Sequence, residues 1–337
     1  MSKQNALFPL AIRTYDGGGQ AVHPCVVMAD KPFAGYRFWM ALTPYPFEDD
    51  GLENPCLRAS NDGVTWECPS GVPDPVVAAP ADPALHASDP HIVIDGRSIH
   101  LFYRVADRVT KRAQIYWMTS PDAHTWTSPR VVFVGQPCLS PSFVFEGNLW
   151  TMWYVDHPPG QKDTSYVIRA QGSKPWSIAS PRRCELSIPG HVPWHLEVRH
   201  FGQNFEALVA AYPVGKHEMR TRLFHVESPD GITFAGNRAR QVLSPTALGW
   251  DNKNIYKASF SRLGCDYFIW YSASSWARRW GIGFVRGPLD RITGRTGVAS
   301  GKRVSLKKLL EDGRALVPSI ARRVVPARFR RSARCGP

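Results

Sequence analysis

A short, aromatic-rich apolar run recurs five times in this chain, and the repetition limits its possible folds more than any other feature. The copies are FWMALTPYP (38–46), IHLFYRVAD (99–107), LWTMWYVDHP (149–158), EALVAAYP (206–213) and YFIWYSAS (267–274). Upstream of each stands a second element, a polar residue or two followed by an apolar burst. These elements are His23-Pro24-Cys25-Val26-Val27, Asp89-Pro90-His91-Ile92-Val93, Ser140-Pro141-Ser142-Phe143-Val144, His195-Leu196-Glu197-Val198 and Tyr256-Lys257-Ala258-Ser259-Phe260. Their starts are separated by 66, 51, 55 and 61 residues. Between the two elements lie FAG, IDGRS, FEGN, FGQN and RLGCD. Glycine-containing turns between apolar runs read as hairpins. A third run ends in SNDGVTW (60–66), SPDAHTW (120–126) and SPDGITF (228–234), with a weaker SKPWS (173–177) and only WGIGFVRG (280–287) in the fifth unit.

Four short strands per unit, repeated five times around, is the pattern of a β-propeller. The expected fold is all-β: a five-bladed β-propeller with four-stranded antiparallel blades over residues 1–300, innermost strand first. The aromatic residue after each D-G-type turn is expected to pack between blades. Twelve Trp, eleven Tyr and sixteen Phe suit strands, and they also suit carbohydrate sites.

Charge is unevenly spread. The chain carries 41 Lys+Arg and 28 Asp+Glu, but 11 and 2 of these fall in residues 301–337. The main body is close to balanced, which argues against sequence-specific nucleic-acid binding. The C-terminal 301–337 segment reads as a basic, partly helical or disordered tail. It is suited to contact an anionic polymer, a membrane surface or a protein partner. Seven cysteines without a CxxC pair argue against a zinc ribbon and for reduced thiols. The histidines show neither HExxH nor a metal-ligand spacing, so no metal and no cofactor is expected. The N-terminal apolar run is short and broken by Pro9, and no stretch reaches the ~18 residues of a membrane span. A cytoplasmic or phage-borne protein without a signal peptide is the expectation.

The innermost strands of a propeller surround one axis, so residues at their entrances converge. That singles out His23, Asp89, Ser140, His195 with Glu197, and Tyr256 with Lys257. Here the chain resembles the five-bladed propeller glycosidases, glycoside hydrolase family 43 and its relatives in families 32, 62 and 130. Ser88-Asp89-Pro90-His91-Ile92 is similar to their Asp-Pro element, and Trp194-His195-Leu196-Glu197-Val198 to a later element that bears an acidic residue. The likeness covers residues 20–290. It departs at the first entrance, where Val22-His23-Pro24 replaces the general-base Asp of family 43. Glu53-Asn54, at the start of the third strand of that blade, is placed to supply the missing carboxylate.

The resemblance implies a glycoside hydrolase acting on a poly- or oligosaccharide, which needs two carboxyl groups flanking the scissile bond. Glu197 is the expected general acid. Asp89 and Glu53 are the candidates for base, nucleophile or charge stabiliser. His23, Asn54, His91, Ser140, Trp194, His195, Asp251, Tyr256 and Lys257 are the candidate substrate-binding residues. Two rival readings stay open: a non-catalytic carbohydrate-binding propeller, and a glycan phosphorylase or transferase on the same scaffold.

Overall fold

Among the described residues, eighteen strands form five antiparallel sheets in strict chain order. Blade one contains β1 (Ala21–Phe33), β2 (Tyr36–Pro44) and β3 (Cys56–Ser60). Blade two contains β4 (Leu85–Ile94), β5 (Ile99–Asp107), β6 (Ala113–Ser120) and β7 (Arg130–Gly135). Blade three contains β8 (Leu139–Glu146), β9 (Leu149–Asp156), β10 (Tyr166–Gly172) and β11 (Ala179–Arg183). Blade four contains β12 (His191–Phe201), β13 (Asn204–Pro213), β14 (Arg222–Ser228) and β15 (Arg240–Leu243). Blade five contains β16 (Asn254–Leu263), β17 (Asp266–Ser274) and β18 (Trp280–Pro288). The first strands pack side by side in the order β1, β4, β8, β12, β16 and back to β1. The sheets therefore close into a five-bladed propeller. The structure, a computed structural model, describes residues 6–293 other than 136, 159, 236 and 237. The basic tail expected over 301–337 lies outside the described residues. Among those described, no helix is long and apolar enough to cross a membrane.

Two blades depart from the expected four strands. After the turn that ends β3, the chain makes one bridge, Glu67 with Ala59, and then enters a stretch holding Pro69, Pro73 and Pro75. Proline has no N–H to give a ladder, so no fourth strand follows. Blade five has three described strands, and the N-terminal segment reaches its outer edge: the Leu10 N–H donates to the Ile282 carbonyl at 2.7 Å.

Each pair of neighbouring blades shares an apolar cluster. Trp39, Ile92 and Leu101 join blades one and two. Phe102, Phe143 and Trp150 join blades two and three. Trp153, Leu196 and Phe224 join three and four; Leu208, Phe260 and Tyr271 join four and five; Met40, Trp66 and Trp270 join five and one. The D-G-type turns lock these seams. In blade one, Asp62 Oδ1 accepts from the N–H groups of Val64 and Thr65, and Gly63 takes a φ of +75°. The Gly63 carbonyl then accepts from the Trp270 indole of the adjacent blade at 2.7 Å. Gly231 accepts from Trp153 in the same way. As expected, Trp66 after the first turn packs between blades, against Trp270.

Candidate active site

Every inner strand carries a bulge near its start, where the pairing register slips: Val22/Cys25, Ser88/His91, Leu139/Ser142, Pro193/His195 and Ile255/Ala258. In blades one to three the bulge is a polar-Pro pair. Proline is tolerated there because a bulge leaves its residue out of the ladder. The residues before it, His23, Asp89 and Ser140, take positive φ values of 54°, 47° and 53°. Such backbone is costly for residues other than glycine and clusters at functional sites. The bulges aim alternate residues of each strand at the axis, and two layers result.

The first layer holds His23, Asp89, Ser140, His195 and Lys257. Asp89 Oδ1 lies 3.6 Å from His23 Nε2, 3.5 Å from His195 Nδ1 and 3.8 Å from Lys257 Nζ. Among the described residues none of these atoms has a hydrogen-bond partner, and His195 Nε2 has none either. All are buried, and Lys257 is 0% exposed. Burial opposes ionisation of Asp89, but His23, Lys257 and His195 outweigh it and hold the carboxyl well below its usual range. Burial pushes His23 down to about 4 and His195 well below its ordinary value, against the pull of Asp89. At neutral pH the centre is thus one carboxylate with two neutral imidazoles. His23 Nδ1 meets Thr43 Oγ1 at 3.0 Å and Glu53 Oε1 at 3.4 Å. Burial first, and then the Asp89 charge, raise the Glu53 carboxyl well above its usual value. Tyr256 and Trp194 are half-buried around the centre, their rings 4.3 and 5.7 Å from that of His195.

The second layer lies one alternate residue further along each strand: Cys25, His91, Ser142, Glu197 and Ser259. These side chains stitch each inner strand to the next. Cys25 Sγ accepts from the Ile92 N–H at 3.3 Å, and His91 Nε2 lies 3.0 Å from both the N and the O of Phe143. Ser142 Oγ accepts from Val198 N–H at 2.9 Å, Ser259 Oγ donates to Glu197 at 3.2 Å, and Ser259 Oγ accepts from Val26 N–H at 2.8 Å. Glu197 is 0% exposed and is paired with Arg199 and with His91. Burial opposes its charge, but Arg199 and His91 outweigh burial and pull it down to about 2. His91 is pushed up to about 9 despite its burial, by Cys25 and Glu197.

The axis therefore unites His23, Asp89, Ser140, His195, Glu197 and Lys257, with Glu53, Tyr256 and Trp194 beside them. Asp89 and Glu197 sit on successive layers. A general acid needs a carboxyl that keeps its proton; Glu197 has the opposite setting, and Glu53 has the required one. His91 and Ser140 are engaged with neighbouring strands: the Ser140 hydroxyl donates to Leu196 O and accepts from Leu196 N–H. Asn54 donates to the Tyr15 hydroxyl at 2.7 Å, and Asp251 is bonded to Thr246 and Tyr271. Both hold loops. Sequence reasoning passed over Arg199, Ser142 and Ser259. The signal for the two serines was the i, i+2 repeat of polar residues on inner strands. The sequence shows no metal-ligand spacing, yet the fold assembles two groups able to hold an ion, His23–Asp89–His195 and Cys25–His91–Glu197. In the second group the Arg199 guanidinium already takes the cation's place.

No family model matches the chain. A curated relative, the A type blood N-acetyl-alpha-D-galactosamine deacetylase of Flavonifractor plautii, is 24% identical over 308 residues, covering 75% of this chain. The chain spans 40% of that relative's length. The crystal structure of an N-acetylgalactosamine deacetylase from F. plautii with blood group B trisaccharide superposes with a TM-score of 0.77 at 21% identity, covering 88% of this chain and 100% of the other. A thermostable family-43 glycoside hydrolase gives 0.58 at 11% identity, over 87% and 100%. The fold is thus one shared with family-43 hydrolases and with a deacetylase.

Proposed function

We propose that this chain is a carbohydrate-active hydrolase that removes an N-acyl group from an amino sugar with the help of a divalent cation. The observation that carries the reading is the convergence of unpartnered His23 Nε2, Asp89 Oδ1 and the His195 ring nitrogens in a buried site, in a chain similar to a deacetylase. Their protonation states, one carboxylate and two neutral imidazoles, are those that metal ligands require. Two nitrogens and one oxygen suit a borderline transition ion, with positions left for water and substrate. Such an ion, when bound, would polarise an acyl carbonyl and acidify a water molecule.

The protein groups would do the rest. His23, Asp89 and His195 would hold the ion, and Lys257 would have to move off the Asp89 oxygen that it now shares. Thr43 and Glu53, both on the Nδ1 side of His23, would fix that ring so that Nε2 faces the centre. Glu53 in its ionised form, which a bound cation would favour, would take a proton from the attacking water and, with its raised affinity, give it to the leaving amine. Water adds to the acyl carbon, the C–N bond breaks, and the products are a carboxylate and a free amino sugar. Tyr256 and Trp194 would pack against the sugar ring.

A second reading is favoured by the same Glu53: glycoside hydrolysis, with Glu53 as acid and the ionised Asp89 as base or nucleophile. One assay separates the two. The protein is incubated with N-acetylhexosaminides, and acetate and new reducing ends are measured with and without a chelator. Acetate release that stops with chelator, and a loss in Asp89→Asn beyond the ~10–100-fold typical of an outer-shell partner, is expected. New reducing ends without acetate, indifferent to chelator, would overturn the deacetylase reading.

A further inference from the structure

We propose that a cavity between blades three and four is a subsite for a second sugar ring, so that the substrate is an oligosaccharide and not a free amino sugar. The inference rests on the carbohydrate reading above and extends it.

The cavity encloses about 390 Å³ and is lined by residues that include Leu139, His157, Gln161, Trp194, His217 and Glu218. A volume of that size falls in the range of small-molecule sites. These residues come from the starts of the inner strands of blades three and four and from the loops that follow β9 and β13. Those segments share the face on which the inner strands begin, the face that carries the His23–Asp89–His195 centre. Trp194 is the wall between the two. Its ring stands 5.7 Å from that of His195 on one side. On the other side it stands 4.8 Å from His157 and 6.3 Å from His217. The cavity thus lies across a single aromatic side chain from the centre.

Its walls match a sugar in kind. Three rings offer flat apolar faces, while Lys162 and Glu218 supply polar groups at the side. His157 Nε2 is buried and has no hydrogen-bond partner among the described residues. Buried polar groups left unpaired are costly and call for a ligand or water to satisfy them. Burial keeps the His157 imidazole neutral, down to about 4, and its bond to the Thr164 backbone engages one ring nitrogen, so the free Nε2 is left as an acceptor. A neutral acceptor suits a sugar hydroxyl better than an anion.

The test compares a methyl glycoside of an N-acetylhexosamine with a disaccharide carrying the same residue. The unaltered protein is expected to show a kcat/KM about tenfold or more higher on the disaccharide. His217→Ala and Gln161→Trp, the second of which fills the cavity from its exposed rim, should each abolish this preference, chiefly through KM. Equal kcat/KM on the two substrates, with the ratio unmoved by either variant, would refute the subsite while leaving deacetylation standing. If neither substrate is turned over, the chemistry proposed above fails and the subsite is still decided by binding. Titration of Asp89→Asn protein with the disaccharide, followed by tryptophan fluorescence, should saturate, with a Kd about tenfold higher when His217→Ala is added. No saturable signal, or one indifferent to both cavity variants, would overturn the subsite.

Discussion

Replacing Glu197 by Gln separates a structural carboxylate from a catalytic one. The side chain is fully buried, and its neighbours Arg199 and His91 pull it from an ordinary 4.5 to about 2. Each tenfold change in proton affinity is worth about 1.36 kcal/mol, so the pairing contributes about 3 kcal/mol at neutral pH. The chemistry of the substitution leads to a similar figure. Gln keeps the shape and the Ser259 bond but leaves the Arg199 cation uncompensated, and breaking a buried pair from one side costs ~3–5 kcal/mol. For a domain of this size, ~3 kcal/mol lowers Tm by about 5 °C. The folded pKa is depressed, so the contribution is present above pH 4.5 and is lost as pH falls through about 2. The melting deficit of Glu197→Gln should therefore be full at pH 7 and shrink below pH 4.5. Thermal melts across pH, together with turnover well below the melting point, check this. Turnover per folded molecule is expected within about tenfold of the unaltered protein, because Glu197 lies beneath the reacting layer. Unchanged melting with turnover lost by orders of magnitude would refute the structural role and restore the general acid.

Glu53 should behave in the opposite way. Its folded pKa is raised by burial and by Asp89, so the fold is most stable with Glu53 protonated and loses stability as pH rises through that value. In the presence of chelator, Glu53→Gln should melt higher than the unaltered protein at pH 8 and converge with it near pH 4, and without chelator it should lack hydrolase activity; equal melts at both pH values would contradict the burial argument. At the seam of blades three and four, Trp153→Ala should cost ~3–5 kcal/mol. Trp153→Phe should cost less, ~1–3 kcal/mol, because the Gly231 carbonyl keeps only the weak Cys184 thiol as donor, both read from denaturant midpoints. Gly231→Ala should be destabilising too, because its φ is +68° and a Cβ would stand 2.8 Å from Trp153 Cζ2. A neutral Gly231→Ala would show that the turn can move.

Much of the fold was legible in the order of residues. Five aromatic strands, five polar entrances and the S-x-D-G turns are local patterns, and each forces a hairpin or a bulge wherever it occurs. The polar-Pro entrances even marked where the pairing would slip, since proline cannot sit within a central ladder. Strand count per blade was less legible. In blade one the prolines after Glu67 stop a fourth strand, and in blade five the missing edge partner comes from Leu10, far away in sequence.

The site was legible only in part. His23, Asp89, His195 and Lys257 could be named because each opens an inner strand. Their assignment to layers could not be named, because which of two alternate residues shares a level with which depends on the stagger of five sheets around the axis. That stagger puts Asp89 with two histidines and Glu197 beneath them with Arg199, and so gives two carboxylates of similar sequence setting different partners. Local pattern is fixed by the pleat and by proline, which act over a few residues. Charge and ligand geometry are fixed by strands more than fifty residues apart, which meet only when the ring closes.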